Sequence, residues 1–109
     1  MEATVAVYRV SRRLPTDERF GLVSQLQRAA ASVPANIAEG YGRLHKGDYL
    51  HHLSTARGSL CETETHLLLA VELGYVSWAD IDSAWQVLQN AGRLLNGLIR
   101  SQRPPRSSS

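Results

Sequence analysis

Residues 46–73 repeat apolar side chains in alternating steps of four and three. This heptad spacing is the feature that most restricts the fold, because it places one continuous apolar stripe along a helix. Leu50, Cys61 and Leu68 widen the stripe beyond the seam of a simple coiled coil, as a helix packed against several others requires. We therefore predict a bundle helix from Lys46 to Leu73, with Cys61 packed inside and Gly74 as the stop. The stripe consists of Tyr49, Leu53, Ala56, Leu60, Thr63, Leu67 and Ala70.

Two further helices are predicted at the ends of the chain. The first runs from Glu2 to Arg13 and stops at Pro15, since the residue before a proline is disfavoured in the helical region. The last runs from Ser77 to about Arg100, and Asp80 lies three residues after Ser77, the spacing of a capping box. Its inner face is predicted to consist of Trp78, Ile81, Trp85, Leu88, Leu95 and Ile99.

The remaining helix is predicted from Thr16 or Asp17 to Tyr41, with Thr16 as a candidate N-cap. Pro34 lies inside it, and we expect a kink there rather than a break because the apolar spacing resumes after the proline. Two stripes of side chains run along this helix, separated by roughly a third of a turn when each residue advances about 100°. One is apolar and the other is polar: Gln25, Arg28, Ser32, Asn36, Glu39 and Arg43. A second ordered stripe suggests a face that meets something other than water.

Four amphipathic helices with short connections and no strand pattern predict an all-α, up-down-up-down antiparallel four-helix bundle over residues 1–103. Residues 104–109 are predicted to be a disordered tail. At 109 residues and 43% hydrophobic composition the chain has room for one core. A single cysteine excludes an intrachain disulfide and fits a reducing compartment. No segment resembles a signal peptide or reaches the roughly 18 apolar residues of a membrane span, so a cytoplasmic protein is expected.

The amino-acid sequences of two segments resemble those of a known family. FGL..QL.RAA.S.P.NIAEG.GR, beginning at Phe20, and LSTARGSLCETETHLLLAVELGY, beginning at Leu53, resemble the four-helix-bundle proteins first noticed as products of intervening sequences in bacterial 23S rRNA genes. The resemblance covers about residues 7–100 and implies a ring, usually a homopentamer. It also extends to the accessory proteins of diversity-generating retroelements, which partner a reverse transcriptase. The positions placed in a subunit interface, or alternatively in a polar network within one subunit, are Gln25, Arg28, Asn36, Glu39, Arg43, Arg57 and Glu64.

Glu64 lies at the edge of the heptad stripe, where a carboxylate needs a partner to offset its desolvation. Arg28, Asn36 and Arg57 are the candidate partners. An ion-pair network that sets the helix register is one interpretation, and a seam between subunits is the other.

Residues for catalysis do not form a recognisable pattern. The chain has no Glu-x-x-His pair of the di-iron bundles, no GxSxG serine and no phosphate loop. Glu62 and His66 are four apart, and helical phase places them with His51 opposite the heptad stripe, as a solvated or interface pair rather than a metal site. We therefore expect a protein that is not an enzyme, with no cofactor and no metal.

Basic residues are the remaining candidates for binding. Of the twelve basic residues, all except Lys46 are arginines, which bind phosphate with a forked guanidinium. Repeated around a ring, they would form a positive belt that contacts several phosphates at once. No aromatic residue interleaves with them in the sequence, so base stacking is not expected. The predicted nucleic-acid-binding residues are Arg12, Arg13, Arg93, Arg100 and Arg103.

The leading hypothesis is a ring-forming adaptor that is not an enzyme and binds structured RNA or RNA/DNA electrostatically, with a reverse transcriptase as a candidate partner. The alternative is a purely structural oligomer or protein-interaction module with no nucleic-acid role.

Overall fold

The computed structural model describes residues 1–42 and 45–102. Arg43, Arg103 and the predicted tail at 104–109 lie outside these ranges. The described residues form α1 (Glu2–Ser11), a 3₁₀ turn (Thr16–Glu18), α2 (Leu22–Tyr41), α3 (Lys46–Glu72) and α4 (Trp78–Gln102), with no strand among them. Helix α1 packs on α2 and α4, and α3 packs on the same two helices. This arrangement confirms the predicted four-helix bundle, in which α1 and α3 lie on opposite corners.

Helix α2 begins later than predicted, at Leu22, and Thr16 starts the 3₁₀ turn instead of capping α2. The capping acceptor is Glu18, whose Oε1 accepts a hydrogen bond of 3.3 Å from the Leu22 backbone N–H. Its other oxygen, Oε2, accepts a hydrogen bond of 2.7 Å from the Tyr75 hydroxyl. This bond raises the pKa of Tyr75, since the neutral phenol is the donor. Glu18 therefore ties the start of α2 to the connection between α3 and α4. The prediction that α2 continues through Pro34 is confirmed.

The end of α3 and the start of α4 follow the predicted signals. Gly74 has φ +78° just after the helix, and its N–H and that of Tyr75 bond back to α3 in a Schellman arrangement. At the start of α4, the Asp80 N–H donates to Ser77 Oγ at 3.2 Å and the Ser77 N–H donates to Asp80 Oδ2 at 2.8 Å. Hydrogen bonds to the Asp80 carboxylate from the backbone N–H and the hydroxyl of Ser77, with the nearby Arg13 guanidinium, lower the pKa of the Asp80 carboxyl. The predicted capping box is therefore confirmed.

The core contains six of the seven stripe residues of α3, with Tyr49 half-buried, and most of the predicted inner face of α4. Three predicted core positions are wrong. Cys61 and Leu68 are exposed, because their side chains fall outside the face of α3 that packs against α2 and α4. Trp78 is 53% exposed, because it opens α4 at the end of the bundle and packs edge-on against Trp85, with ring centroids 5.7 Å apart.

Candidate functional site

Three arginines surround a groove of about 510 Å³ between α3 and α4. Arg57 comes from α3, and Arg93 and Arg100 come from successive heptad positions of α4. All three side chains are exposed. The structure therefore places Arg57, which the sequence analysis assigned to the subunit interface or polar network, beside two of the predicted nucleic-acid-binding residues, Arg93 and Arg100. We call this surface the α3–α4 groove.

Glu64 is the carboxylate that lines the α3–α4 groove. Its Oε2 accepts a short hydrogen bond from Nε2 of Gln89, a residue of α4 that was not among the candidate partners. The expected pairing with Arg28, Asn36 or Arg57 was wrong, because helical phase turns Glu64 toward α4 and Gln89 is the neighbour across that contact. Arg93 likewise donates to a neutral amide, Asn90 Oδ1. The arginine charges of this groove are therefore not paired with Glu64.

A second groove, of about 610 Å³, lies between α2 and α3 and brings together Gln25 and Arg28 with Glu62 and His66. We call it the α2–α3 groove. The Arg28 guanidinium donates to Ser24 Oγ at 3.1 Å. His66 was predicted to lie opposite the heptad stripe with Glu62, but it is half-buried, and its Nδ1 is buried without a hydrogen-bond partner in the described residues. The side chain of His66 leans toward α2 because α2 is the neighbour on that side of α3.

Asn36 belongs to a polar network inside the subunit. Its Nδ2 donates to the Ser32 carbonyl and hydroxyl oxygens, each at 2.9 Å, and its Oδ1 lies 3.3 Å from His52 Nδ1. Ser32 Oγ lies 2.8 Å from Ser59 Oγ across the helix pair. This network joins α2 to α3, which favours the interpretation of Asn36 as a residue that sets helix register.

The seven predicted interface positions are thus divided among several surfaces. Gln25 and Arg28 lie in the α2–α3 groove, and Arg57 and Glu64 lie in the α3–α4 groove. Glu39 is exposed near the end of α2, beside Ala35, Ala38 and Gly42. A single helical stripe in the sequence could not show this division, since it depends on which neighbouring helix each face meets.

The predicted nucleic-acid-binding residues of α1 and its following turn are also separated. Arg13 Nη1 forms an ion pair with Asp80 Oδ1 at 2.5 Å and joins the end of α1 to the start of α4. Arg12 faces a different groove, between α1 and α2, where Arg19 and Phe20 also lie. The spacing in the sequence did not show that Tyr8 and Phe20 line the same groove as Arg12. Phe20 lies in the short segment between the 3₁₀ turn and α2, and only the folding of that segment against the end of α1 brings it beside Arg12.

In residues 1–42 and 45–102, no group of three or more His, Cys, Asp or Glu side chains is arranged to hold a metal ion. Within the same ranges, no helix is both long enough and apolar enough to cross a membrane.

The four packed helices define a small all-α protein of the four-helix-bundle class. The sequence matches the family described as 23S rRNA-intervening sequence protein over residues 1–97, and the chain belongs to this family. This confirms the family expected from the resemblance.

The same fold is found in the crystal structure of another protein. It is a protein with unknown function from the S23 ribosomal protein family of Bacteroides thetaiotaomicron. The two chains are 24% identical and superimpose with a TM-score of 0.82 over 90% of this chain and 92% of the other. No curated protein matches the chain significantly.

Proposed function

We propose that this protein is a ring-forming cytoplasmic adaptor, not an enzyme, and that it binds structured RNA or RNA/DNA through the arginines of the α3–α4 groove. The observation that carries the proposal is the placement of Arg57, Arg93 and Arg100 around one open groove. Glu64, the acidic group of that groove, is held by Gln89 and is not paired with these arginines. Guanidinium groups so arranged favour phosphate oxygens without reading the base sequence.

We expect the subunits to assemble into a ring, which by resemblance to the family is a homopentamer. Such a ring would present one copy of the α3–α4 groove on each subunit. Exposed apolar side chains near the end of α3 and the start of α4 support a contact between subunits: Leu69 is 43% exposed, Leu73 is 51% exposed and Trp78 is 53% exposed. Once one groove of the ring has bound an RNA, the other grooves meet its remaining phosphates at a high effective concentration, and the total affinity rises. The ring is therefore the element that makes a chain of small net charge a nucleic-acid binder.

The test is binding of a structured RNA by the purified protein at about 50 mM and about 200 mM salt, beside light scattering that measures the oligomer. We expect a ring whose binding weakens steeply with salt. The variant Arg93→Glu with Arg100→Glu should keep the ring and bind the RNA far more weakly at both salt concentrations. The single changes Arg93→Gln and Arg100→Gln should each lower the logarithmic salt slope by about 1. The matched control for the double variant is Arg9→Glu with Lys46→Glu, an equal change of charge outside the groove. Equal loss in both double variants would show a general charge effect and overturn the assignment of the groove.

The alternative function, a purely structural oligomer or protein-interaction module, is favoured by the same exposed apolar side chains. It requires a ring that ignores RNA and DNA at low salt. A reverse transcriptase is then the partner to try first, by co-purification with the ring. Retention of the enzyme at high salt by wild type, and its loss in Leu73→Ser with the fold intact, would support an apolar protein interface.

A further inference from the structure

A third groove, of about 630 Å³, lies between α1 and the start of α2. Arg12 comes from the end of α1, and Arg19 and Phe20 come from the short segment between the 3₁₀ turn and α2. Tyr8, one turn before Arg12, lines the groove as well. Because α1 and α3 occupy opposite corners of the bundle, this α1–α2 groove faces away from the α3–α4 groove. It is a separate surface, and the two cannot contact one short ligand.

The aromatic side chains of the α1–α2 groove present open ring surface. Phe20 is 85% exposed and Tyr8 is 38% exposed. The Arg19 guanidinium carbon lies 4.8 Å from the centroid of the Phe20 ring, a cation–π arrangement. The segment that carries Phe20 is held at both of its ends, since Glu18 bonds to the Leu22 backbone and to Tyr75. Phe20 is thus displayed from an anchored turn and is not buried by the subunit.

The charge of the α1–α2 groove is positive and unpaired. Arg12, Arg19 and Arg28 line it, and no Asp or Glu is among its described lining residues. Both oxygens of the neighbouring Glu18 accept hydrogen bonds from other groups. An anionic ligand would therefore meet guanidinium groups beside an exposed aromatic ring.

We propose that the α1–α2 groove binds single-stranded RNA or DNA, with phosphates at Arg12 and Arg19 and one base stacked on Phe20. Bases of a duplex are already stacked on each other, whereas an unpaired base has a free face for an aromatic ring or a guanidinium plane. An acidic peptide would use the arginines, but only a nucleic acid carries a planar aromatic base with every backbone phosphate. The inference deepens the proposed nucleic-acid role and adds a site for unpaired segments on the opposite side of the bundle.

The test compares two fluorescein-labelled oligomers about 12 nucleotides long, an oligothymidylate and an abasic backbone with the same phosphates, by fluorescence anisotropy. We expect wild type to bind the oligothymidylate at least about fivefold more tightly, the lower range for one stacked base. Phe20→Ala should reduce this preference to parity, and Phe20→Tyr should retain it. Leu94→Ala is the matched control, because Leu94 is an exposed apolar residue of α4 at 72% exposure. Arg12→Glu with Arg19→Glu should weaken binding of both oligomers.

Equal affinity of wild type for the two oligomers would overturn the stacking site. A change of oligomeric state in Phe20→Ala would also overturn it, since Phe20 would then be a subunit contact. The α3–α4 variant, Arg93→Glu with Arg100→Glu, separates the two proposals. Loss of structured-RNA binding in that variant without any base preference in wild type leaves only the electrostatic adaptor. A base preference that depends on Phe20, without binding of structured RNA, leaves only the single-strand site.

Discussion

Gly40 lies where α2 packs closely against α3, and its replacement by alanine tests the packing of the bundle. A Cβ atom at this position would lie 2.9 Å from Tyr49 Cδ1 and 3.2 Å from His52 Cβ. Both distances are shorter than an ordinary van der Waals contact, so the neighbours would have to move. Tyr49 also contacts Tyr41, with ring centroids 5.7 Å apart, and displacing its ring would disturb that contact as well.

Two effects of opposite sign decide the outcome of Gly40→Ala. Alanine in a helix interior is favoured over glycine by about 1 kcal/mol. Overpacking a closely packed contact costs about 1 to 3 kcal/mol. Because the clash involves a ring carbon and a Cβ atom, neither of which is the free end of a flexible chain, we expect the upper part of that range. The net loss in the free energy of unfolding should be about 1 to 2 kcal/mol.

Gly58→Ala is the matched control for Gly40→Ala. Gly58 is exposed in α3, and a Cβ atom there would meet no heavy atom within 4 Å. This variant should therefore gain up to about 1 kcal/mol from helix propensity alone. Urea unfolding followed by circular dichroism measures both variants, and one fixed protein concentration keeps any self-association equal between them. A Gly40→Ala variant as stable as wild type, beside a stabilised Gly58→Ala, would refute the close-packing argument.

Further predictions use the same unfolding measurement. Leu60→Ala should cost about 2 to 5 kcal/mol as a core cavity, and a smaller loss would mean that the bundle collapses around the site. Glu64→Ala should cost about 1 to 3 kcal/mol by leaving Gln89 without its acceptor, whereas Glu64→Gln, which retains an acceptor, should cost less. Ser77→Ala should cost about 0.5 to 2 kcal/mol through loss of the cap. The pKa of Asp80 in the folded state lies below its ordinary value of 3.8. The ionised carboxylate therefore stabilises the fold fully above pH 3.8. This stabilisation is lost as the pH falls through the lower pKa of the folded state. Asp80→Asn should therefore be less stable than wild type at neutral pH and equal to it well below pH 3.8, and an equal difference at both pH values would contradict the assignment.

The helices and their stop signals could be predicted because their causes are local. The heptad stripe of α3, the glycine after it and the Ser77–Asp80 box all lie within a few residues of the structure that they specify. The start of α2 was predicted too early because its capping group, Glu18, also bonds to Tyr75, which is 57 residues away in the sequence. A cap that depends on a distant partner leaves no local pattern.

For the candidate sites too, the features with local causes could be predicted from the sequence and those that depend on distant residues could not. Helical periodicity identified most of the arginines and the carboxylate that line the grooves. It assigned Cys61 and Trp78 to the core, and it did not connect Arg12 with Phe20 or Glu64 with Gln89. Each of these errors concerns a side chain at the edge of a helix face or in the connection beside a helix. Whether such a position is buried depends on the size and tilt of the neighbouring helix.

By itself the sequence determined the number of helices, the residues of the central seam and the signals at the ends of α3 and α4, because periodicity and capping act within a few turns of one chain segment. The tertiary structure alone decided which grooves receive each arginine, which partner satisfies Glu64 and whether Phe20 stays exposed. Those features arise where faces of different helices meet, and the packing of one helix on another is set by contacts between residues far apart in the sequence.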